Sequence, residues 1–529
     1  MGSYLNPGNE KFYRAINSEI YVDKTGLIGY TNKVLNTMQQ NLCVSRPRRF
    51  GKSMAADMLT AYYSRGCDSK ELFKRLKIAD DQNFEKHLNK YNTIFINVQE
   101  FLSRTSDIYK LIDRIQRIIL RDIQREYPEI DYFDKDDLSE CMQDVYEETG
   151  IPFVMIIDEW DCIFREYKND KEAQEKYLDF LRDTLKDKRY IQLVYMTGIL
   201  PIKKYGTHSA LNMFSEYSMT NPRQLAQYVG FTEEEVQELC VKYRMNFEEL
   251  KEWYDGYAFA LVHSVYSPRS VIEAVLSGIC DSYWNQTETF EALKIYIDMN
   301  FDGLKDDVLS MMVGERVAIN TGGFTNDMVT FHSKDDVLTL LIHLGYLSYH
   351  WPDKTVTIPN KEVSQEYINA ISTMDWAEVT RSVEDSKMLL EALWNMDEKA
   401  VAAGIDKAHR EISILQYNNE NALSCTINLA FYFAREYYTI IRELPTGKGF
   451  ADMVFVPRKT TQTPAIVVEL KWNQTAEAAI TQIKRKQYVE SLKDYRGEVI
   501  LVGINYESKE LKKDDYKKHS CKIERITMA

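Results

Sequence analysis

Asn41-Leu42-Cys43-Val44-Ser45-Arg46-Pro47-Arg48-Arg49-Phe50-Gly51-Lys52-Ser53 is the stretch on which the reading of the chain turns. An apolar strand pattern feeds a loop that closes on Gly-Lys-Ser, and a helical pattern follows from about Met54 to Tyr63. Those are the parts of a phosphate-binding loop. Gly51 lets backbone N–H groups curl around phosphate oxygens, Lys52 reaches the β- and γ-phosphates, and Ser53 offers its hydroxyl to Mg2+. The positive end of the following helix adds to the attraction. The full pattern has a second glycine five residues before Gly51, where this chain has Arg46, so Gly-Lys-Ser alone is a weak signal.

A second stretch strengthens it. Phe153-Val154-Met155-Ile156-Ile157-Asp158-Glu159 is a wholly apolar run ending in two carboxylates, the pattern of a central parallel strand. At its carboxyl end Asp158 would hold the Mg2+ hydration shell, and Glu159 would stand where an ATPase needs a base to orient water. The plainer reading makes Asp158 a helix cap after a core strand. Tyr91 to Val98 reads as another buried strand, Ile108 to Tyr127 as an amphipathic helix, and Tyr190 to Met196 as a fourth strand ending at Thr197. Alternating strands and helices predict a doubly wound α/β domain. Thr197 either senses a γ-phosphate or caps the next turn. Ile20 to Thr25 reads as a short strand-like piece that lines a base pocket or packs the N-terminus.

The chain as a whole sets bounds. With 529 residues, 44% hydrophobic and 28% charged, it can bury about three domain cores. No apolar run is long enough to span a bilayer, and Met1 to Phe12 lacks the layout of a signal peptide, so no membrane is expected and the cytoplasm is the expected location. Eight scattered cysteines without metal spacing are expected to be reduced thiols. The net charge of −14 argues against a protein that coats nucleic acid over its whole surface. Residues 411–529, however, hold 18 Lys/Arg against 15 Asp/Glu, so nucleic-acid contact is expected in this last part.

YVDKTGLI (Tyr21–Ile28), SRPRRFGKS (Ser45–Ser53), IIDEWD (Ile156–Asp161), TGILPIKKY (Thr197–Tyr205) and GFTEEEV (Gly230–Val236) together resemble the predicted AAA-ATPase-like proteins of bacteria. In that family a P-loop domain is joined to a C-terminal nuclease domain of the PD-(D/E)XK class. The resemblance runs through nearly the whole chain and implies ATP and Mg2+ as cofactors. The missing first glycine is part of the family's look. It leaves Arg48 and Arg49 as basic neighbours that either bind phosphate or pair with local carboxylates.

From Asn221 to about Ala402 helical periodicity takes over, punctuated by Trp253-Tyr254-Asp255-Gly256-Tyr257 and Tyr283-Trp284, whose aromatics are expected in the core. A helical lid or winged-helix-like middle region is predicted. The expected domains are 1–215 (P-loop), 216–402 (helical) and 403–529 (α/β, restriction-endonuclease-like), with a polar hinge near Asp397 to His409.

The last domain carries a second constellation. Gly447 to Val456 predicts a turn feeding a strand with Asp452 at its start, and Ala465-Ile466-Val467-Val468-Glu469-Leu470-Lys471-Trp472 predicts its neighbour. Residues two apart on a strand share a face, so Glu469 and Lys471 point one way and Val468, Leu470 and Trp472 the other. Two carboxylates can share Mg2+ and polarise a phosphate, while a lysine positions water or neutralises developing charge. A helix from Ala478 to Ser491 offers Gln482, Lys484, Arg485 and Lys486 to phosphates. Asp, then E-x-K, between a helix bearing Glu420 and a Gln/Lys helix resembles the PD-(D/E)XK core. That resemblance implies Glu420, Asp452 and Glu469 as metal positions, with Asp452, Glu469 and Lys471 catalytic; Glu443 is a rival for the role of Glu420.

The resulting expectation is an ATP-binding, ATP-hydrolysing protein coupled to a Mg2+-dependent nuclease acting on nucleic acid, DNA ahead of RNA. Its rivals are an ATP-gated interaction module with an inactive nuclease-like domain and a freestanding ATPase motor for DNA repair. A homo-oligomer is left open.

Overall fold

The computed structural model describes residues 2–105, 107–202, 211–259, 262–284, 289–299, 301, 303–312, 314–325, 328–372, 377–411, 427, 430–446, 449–458, 463–485, 497–507 and 518–528. The chain forms two compact units, one of residues 1–304 and 316–366, the other of 305–315 and 367–529.

The first unit is built on β1 (Asn41–Ser45), β2 (Asn92–Asn97), β3 (Phe153–Asp158), β4 (Ile191–Gly198) and β5 (Ser215–Tyr217). They pair in the order β2-β3-β4-β1-β5, every pair parallel. Parallel neighbours need crossovers, which the helices Lys52–Tyr63, Ile108–Glu126, Leu138–Thr149 and Lys171–Leu185 provide. Cys43, Ile94, Ile96, Met155, Ile157, Val194 and Met196 join the buried stripe Leu111, Ile115, Ile119 and Ile123 of the Ile108–Glu126 helix in one core. All six residues of β3 are buried, as its unbroken apolar run predicts. Because β4 is inserted between β1 and β3, its carboxyl end lies between the phosphate loop and Asp158.

Ile20 to Thr25 is not a strand. Asp23 instead turns the chain by accepting from Thr25 N at 2.8 Å, and Lys24 pairs with Glu235 at 2.5 Å. The following region is helical, with two small sheets that the fading strand signal hid. They are the antiparallel pair β6 (Phe231–Thr232) and β7 (Val265–Tyr266), and a three-stranded sheet of β8 (Val317–Ala318), β9 (Ser348–His350) and β10 (Thr355–Thr357). Of the aromatics expected in the core, Tyr254, Tyr257 and Trp284 are buried, while Trp253 and Tyr283 are half-buried.

The second unit carries β11 (Tyr438–Thr446), β12 (Gly449–Pro457), β13 (Ala465–Trp472), β14 (Gly497–Glu507) and β15 (Lys518–Met528), paired in that order. Only β13 and β14 are parallel. One face carries Met453, Phe455, Ile466, Val468 and Leu470 against the helices Ala377–Trp394 and Glu398–Glu411. The other carries Val454 and Val467 with Ile480 and Ile483 of the Ala476–Arg485 helix. The expected hinge at Asp397 to His409 is thus mostly helix. Val401, Ile405 and Ala408 are buried at helical spacing, a stripe that the polar and Ala-rich composition concealed. The boundary drawn at 402/403 falls inside that helix, and the one at 215/216 falls inside β5.

Candidate nucleotide site and candidate nuclease centre

Gly51 caps the Lys52–Tyr63 helix at φ 90°, a left-handed conformation that favours glycine, and a Cβ placed there would meet nothing within 4 Å. The loop is therefore open at the point where phosphate oxygens must approach. Lys52 is buried, not exposed, and its Nζ donates to Pro47 O at 2.9 Å. Burial lowers its pKa, against the pull of Glu159, Asp158 and Asp161. Ser53 is exposed at the helix start.

The basic residues of the loop divide. Arg46, in place of the first glycine, is fully buried; its Nη1 donates to Ser45 O and Tyr217 O at 2.8 and 2.9 Å, and its guanidinium lies over Phe259. Burial pushes its pKa down to about 10. Arg48 is exposed. Arg49 stands at φ 69°, and its Nη1 donates to Tyr283 O at 2.5 Å and Trp284 O at 3.3 Å.

At the end of β3, Asp158 accepts from Thr197 and, at 3.1 Å, from Asn97 Nδ2. Thr197 thus donates to Asp158, and Asp158 caps no helix in these bonds. Glu159, at φ 54°, pairs with Arg165. Arg165 also approaches Asp161, whose Oδ2 accepts from Ile199 N at 3.1 Å and Leu200 N at 2.8 Å just beyond β4. Burial raises the pKa of Glu159, while Lys52 and Arg165 pull it down. Asn97, Asp161 and Arg165 escaped the sequence reading. The i,i+4 spacing of Asp161 and Arg165 was the available signal. An open glycine turn, a lysine whose hydrogen bond among the described residues is to its own loop, and carboxylates at the adjoining strand end fit a nucleoside triphosphate with its divalent cation. Ser53 and Asp158 are the residues that would hold that cation.

In the second unit Met453 pairs with Val468, so Asp452 stands beside Glu469 and Leu470, and its Oδ2 accepts from Leu470 N at 2.6 Å. Glu469 is 2% exposed, with Oε1 accepting from Lys471 Nζ at 2.8 Å and from Gln482. Gln482, expected at a phosphate, is thus on the carboxylate. Lys484 pairs with Glu524 of β15, and Arg485 is exposed. Gly503, in register with Glu469, keeps the helix close, since a Cβ there would lie 2.3 Å from Ala476 O. Asp452 and Glu469, on neighbouring strands, are hard oxygen donors of the kind a divalent cation takes, and such a cation would supply Lewis-acid polarisation of a phosphate. Glu420 lies outside the described residues, as do Lys486 and the side chain of Glu443.

Fold and sites define a P-loop protein with a nuclease-type domain. Residues 8–207 match the family described as predicted AAA-ATPase, and residues 418–516 match the PD-(D/E)XK nuclease superfamily. The chain thus carries an N-terminal domain of the predicted AAA-ATPase type and a C-terminal PD-(D/E)XK nuclease-superfamily domain. The two domains imply use of a nucleotide and of a divalent metal. An uncharacterized protein in the vnfD 5′ region of Azotobacter chroococcum mcd 1 is 22% identical over 282 residues, 51% of this chain and 51% of that protein. The chain therefore spans about half the length of this relative. Among solved structures, Aeropyrum pernix ORC1 in complex with DNA is similar at TM-score 0.28 and 12% identity, over 69% of this chain and 96% of that one. Aeropyrum pernix ORC2, in its ADPNP–ADP complexes, gives TM-score 0.28 and 12% identity, over 68% and 98%. Among the described residues no helix is long and apolar enough to cross a membrane.

Proposed function

We propose that this is a nucleotide-controlled, Mg2+-dependent nuclease of the cytoplasm that cleaves phosphodiester bonds, in DNA rather than RNA. The observation that supports the reading is that Asp452 of β12 accepts from Leu470 N of β13, next in sequence to Glu469, which pairs with Lys471, in a domain of the nuclease superfamily. In this reading Asp452 and Glu469, with Glu420, hold the metal. Lys471 steadies the attacking water and the charge that develops on phosphorus. At the other site Lys52, Ser53 and Asp158 hold ATP and Mg2+, Glu159 orients water, and Thr197 reports on the γ-phosphate through Asp158.

The test is calorimetric Mn2+ titration beside a cleavage assay on DNA and RNA. Asp452→Ala and Glu469→Ala are expected to lose metal binding and cleavage together. Lys471→Ala keeps the metal and loses most of the rate, because ammonium is no ligand. Carboxylate variants that still bind metal and cut would overturn the nuclease assignment. The engagement of Glu469 by both Lys471 and Gln482 favours a second reading, in which the domain binds nucleic acid or protein without cutting. Binding to a DNA duplex with no cleavage at any divalent metal would select it.

A further inference from the structure

The segment Pro47–Phe50 is held by Tyr257, Tyr283, Trp284 and Gly345. Gly345 ends the Lys334–Leu344 helix at φ 91°, and a Cβ there would lie 2.8 Å from Pro47 Cβ and Cγ. Tyr257 donates to Gly345 O at 2.6 Å and receives the Phe50 ring edge-on at 5.3 Å between centroids. Arg49 donates to Tyr283 O, and Tyr283 N donates in turn to Glu362 Oε1 at 2.8 Å. Glu362 is fully buried in the first turn of the Lys361–Ser372 helix. Within that helix the chain passes from one compact unit to the other, between Glu366 and Tyr367.

We infer that Arg49 and Glu362 are positioning residues of the phosphate loop, tying it through the Tyr283–Trp284 turn to the Lys361–Ser372 helix. Nucleotide occupancy is read out in that helix. The inference rests on the reading that the loop binds a nucleotide.

The physical route starts at Lys52. A β- or γ-phosphate in the loop competes with Pro47 O for the Lys52 ammonium, so binding puts the Lys52–Pro47 bond at stake. Pro47 is pressed on Gly345, and Arg49 is held at a left-handed φ that disfavours a non-glycine residue. A loop that resets around phosphate must carry the Tyr283–Trp284 turn with it or release it. The turn is anchored to Glu362, so either outcome reaches the helix. A ligand shifts only an equilibrium whose states it binds differently, and the exchange of Lys52 from carbonyl to phosphate supplies that difference.

Hydrogen exchange on the full chain tests this, with a non-hydrolysable ATP analogue at concentrations saturating each protein. In the parent, protection is expected to change both at residues 46–53 and at 361–372. In Arg49→Met and Glu362→Ala the change at 46–53 persists. The change at 361–372 falls by about fivefold or more, the low end of an ordinary coupling free energy. Glu362→Gln, which keeps an acceptor oxygen for Tyr283 N, retains the response and separates loss of the bond from loss of the fold. Nucleotide binding that alters 46–53 alone, or variants that respond like the parent, would overturn the inference and leave the nucleotide reading standing. Failure of the parent to bind the analogue overturns both.

Discussion

Lys52 is buried under the electrostatic pull of Glu159, Asp158 and Asp161, and among the described residues its hydrogen bond goes to Pro47 O of its own loop. Lys52→Ala is expected to weaken ATP-analogue binding by at least about tenfold, the loss of one charge-assisted hydrogen bond of roughly 1.5–3 kcal/mol. Titration with a fluorescent analogue measures it, and unchanged affinity would remove the loop from the site. Glu159→Gln keeps an oxygen for Arg165 but no base. Phosphate release is expected to slow by about 10²–10⁴-fold with nucleotide binding retained. Glu362 offers a pH test. Burial pushes its carboxyl up to about 7, against the pull of Ser270, the Tyr283 and Trp284 N–H groups and Arg49. The folded state therefore holds the proton more tightly than the unfolded chain, and stability is lost as pH rises from the ordinary carboxyl range through 7. Glu362→Gln removes that loss, on the order of 3 kcal/mol at pH 8 and little at pH 4. Thermal melts of both proteins across this range should converge at the acid end and part at the alkaline end; parallel curves would count against a buried titrating carboxyl.

Among elements, β13 shows how far pattern reading reaches. Its alternation placed Glu469 and Lys471 on one face and Val468 and Leu470 on the other, and the two cores on either side of the sheet bear this out. Pattern could not show that Gln482 turns back onto Glu469, because that contact depends on how closely the Ala476–Arg485 helix lies on β14. Gly503 sets that approach. Gly503→Ala puts a methyl group against Ala476 O and is expected to destabilise the second unit by about 1–3 kcal/mol, the usual scale of overpacking. By moving Gln482 away from Glu469 it should also lower cleavage. A denaturant melt and a cleavage assay on one preparation check both, and a fully active, undiminished variant would show that the helix position is not critical.

For the whole molecule, the proposed nucleotide control would start where Tyr257, Tyr283, Trp284 and Gly345 hold the phosphate loop. Lys52→Ala is expected to change the ATP dependence of cleavage although it lies in the first unit and Asp452 and Glu469 in the second. Equal cleavage by parent and variant, with and without ATP, would mean two independent activities on one chain. Local chemistry sufficed to identify the phosphate loop, the strand ending in Asp158 and Glu159, and the Asp452 and E-x-K strands, because each is a short run whose period and residue types are set by neighbours in sequence. The partners of those residues needed the folded chain. Arg46 turns onto the Tyr217 carbonyl, Arg49 donates to the Tyr283 and Trp284 carbonyls, and Arg165 takes Glu159. The supposed hinge at Asp397 to His409 is helix for the same reason, since Val401, Ile405 and Ala408 find their apolar cover on other elements. Where a charged side chain goes depends on which carbonyls and carboxylates the packed chain brings within about 3 Å, and those lie up to hundreds of residues away in sequence.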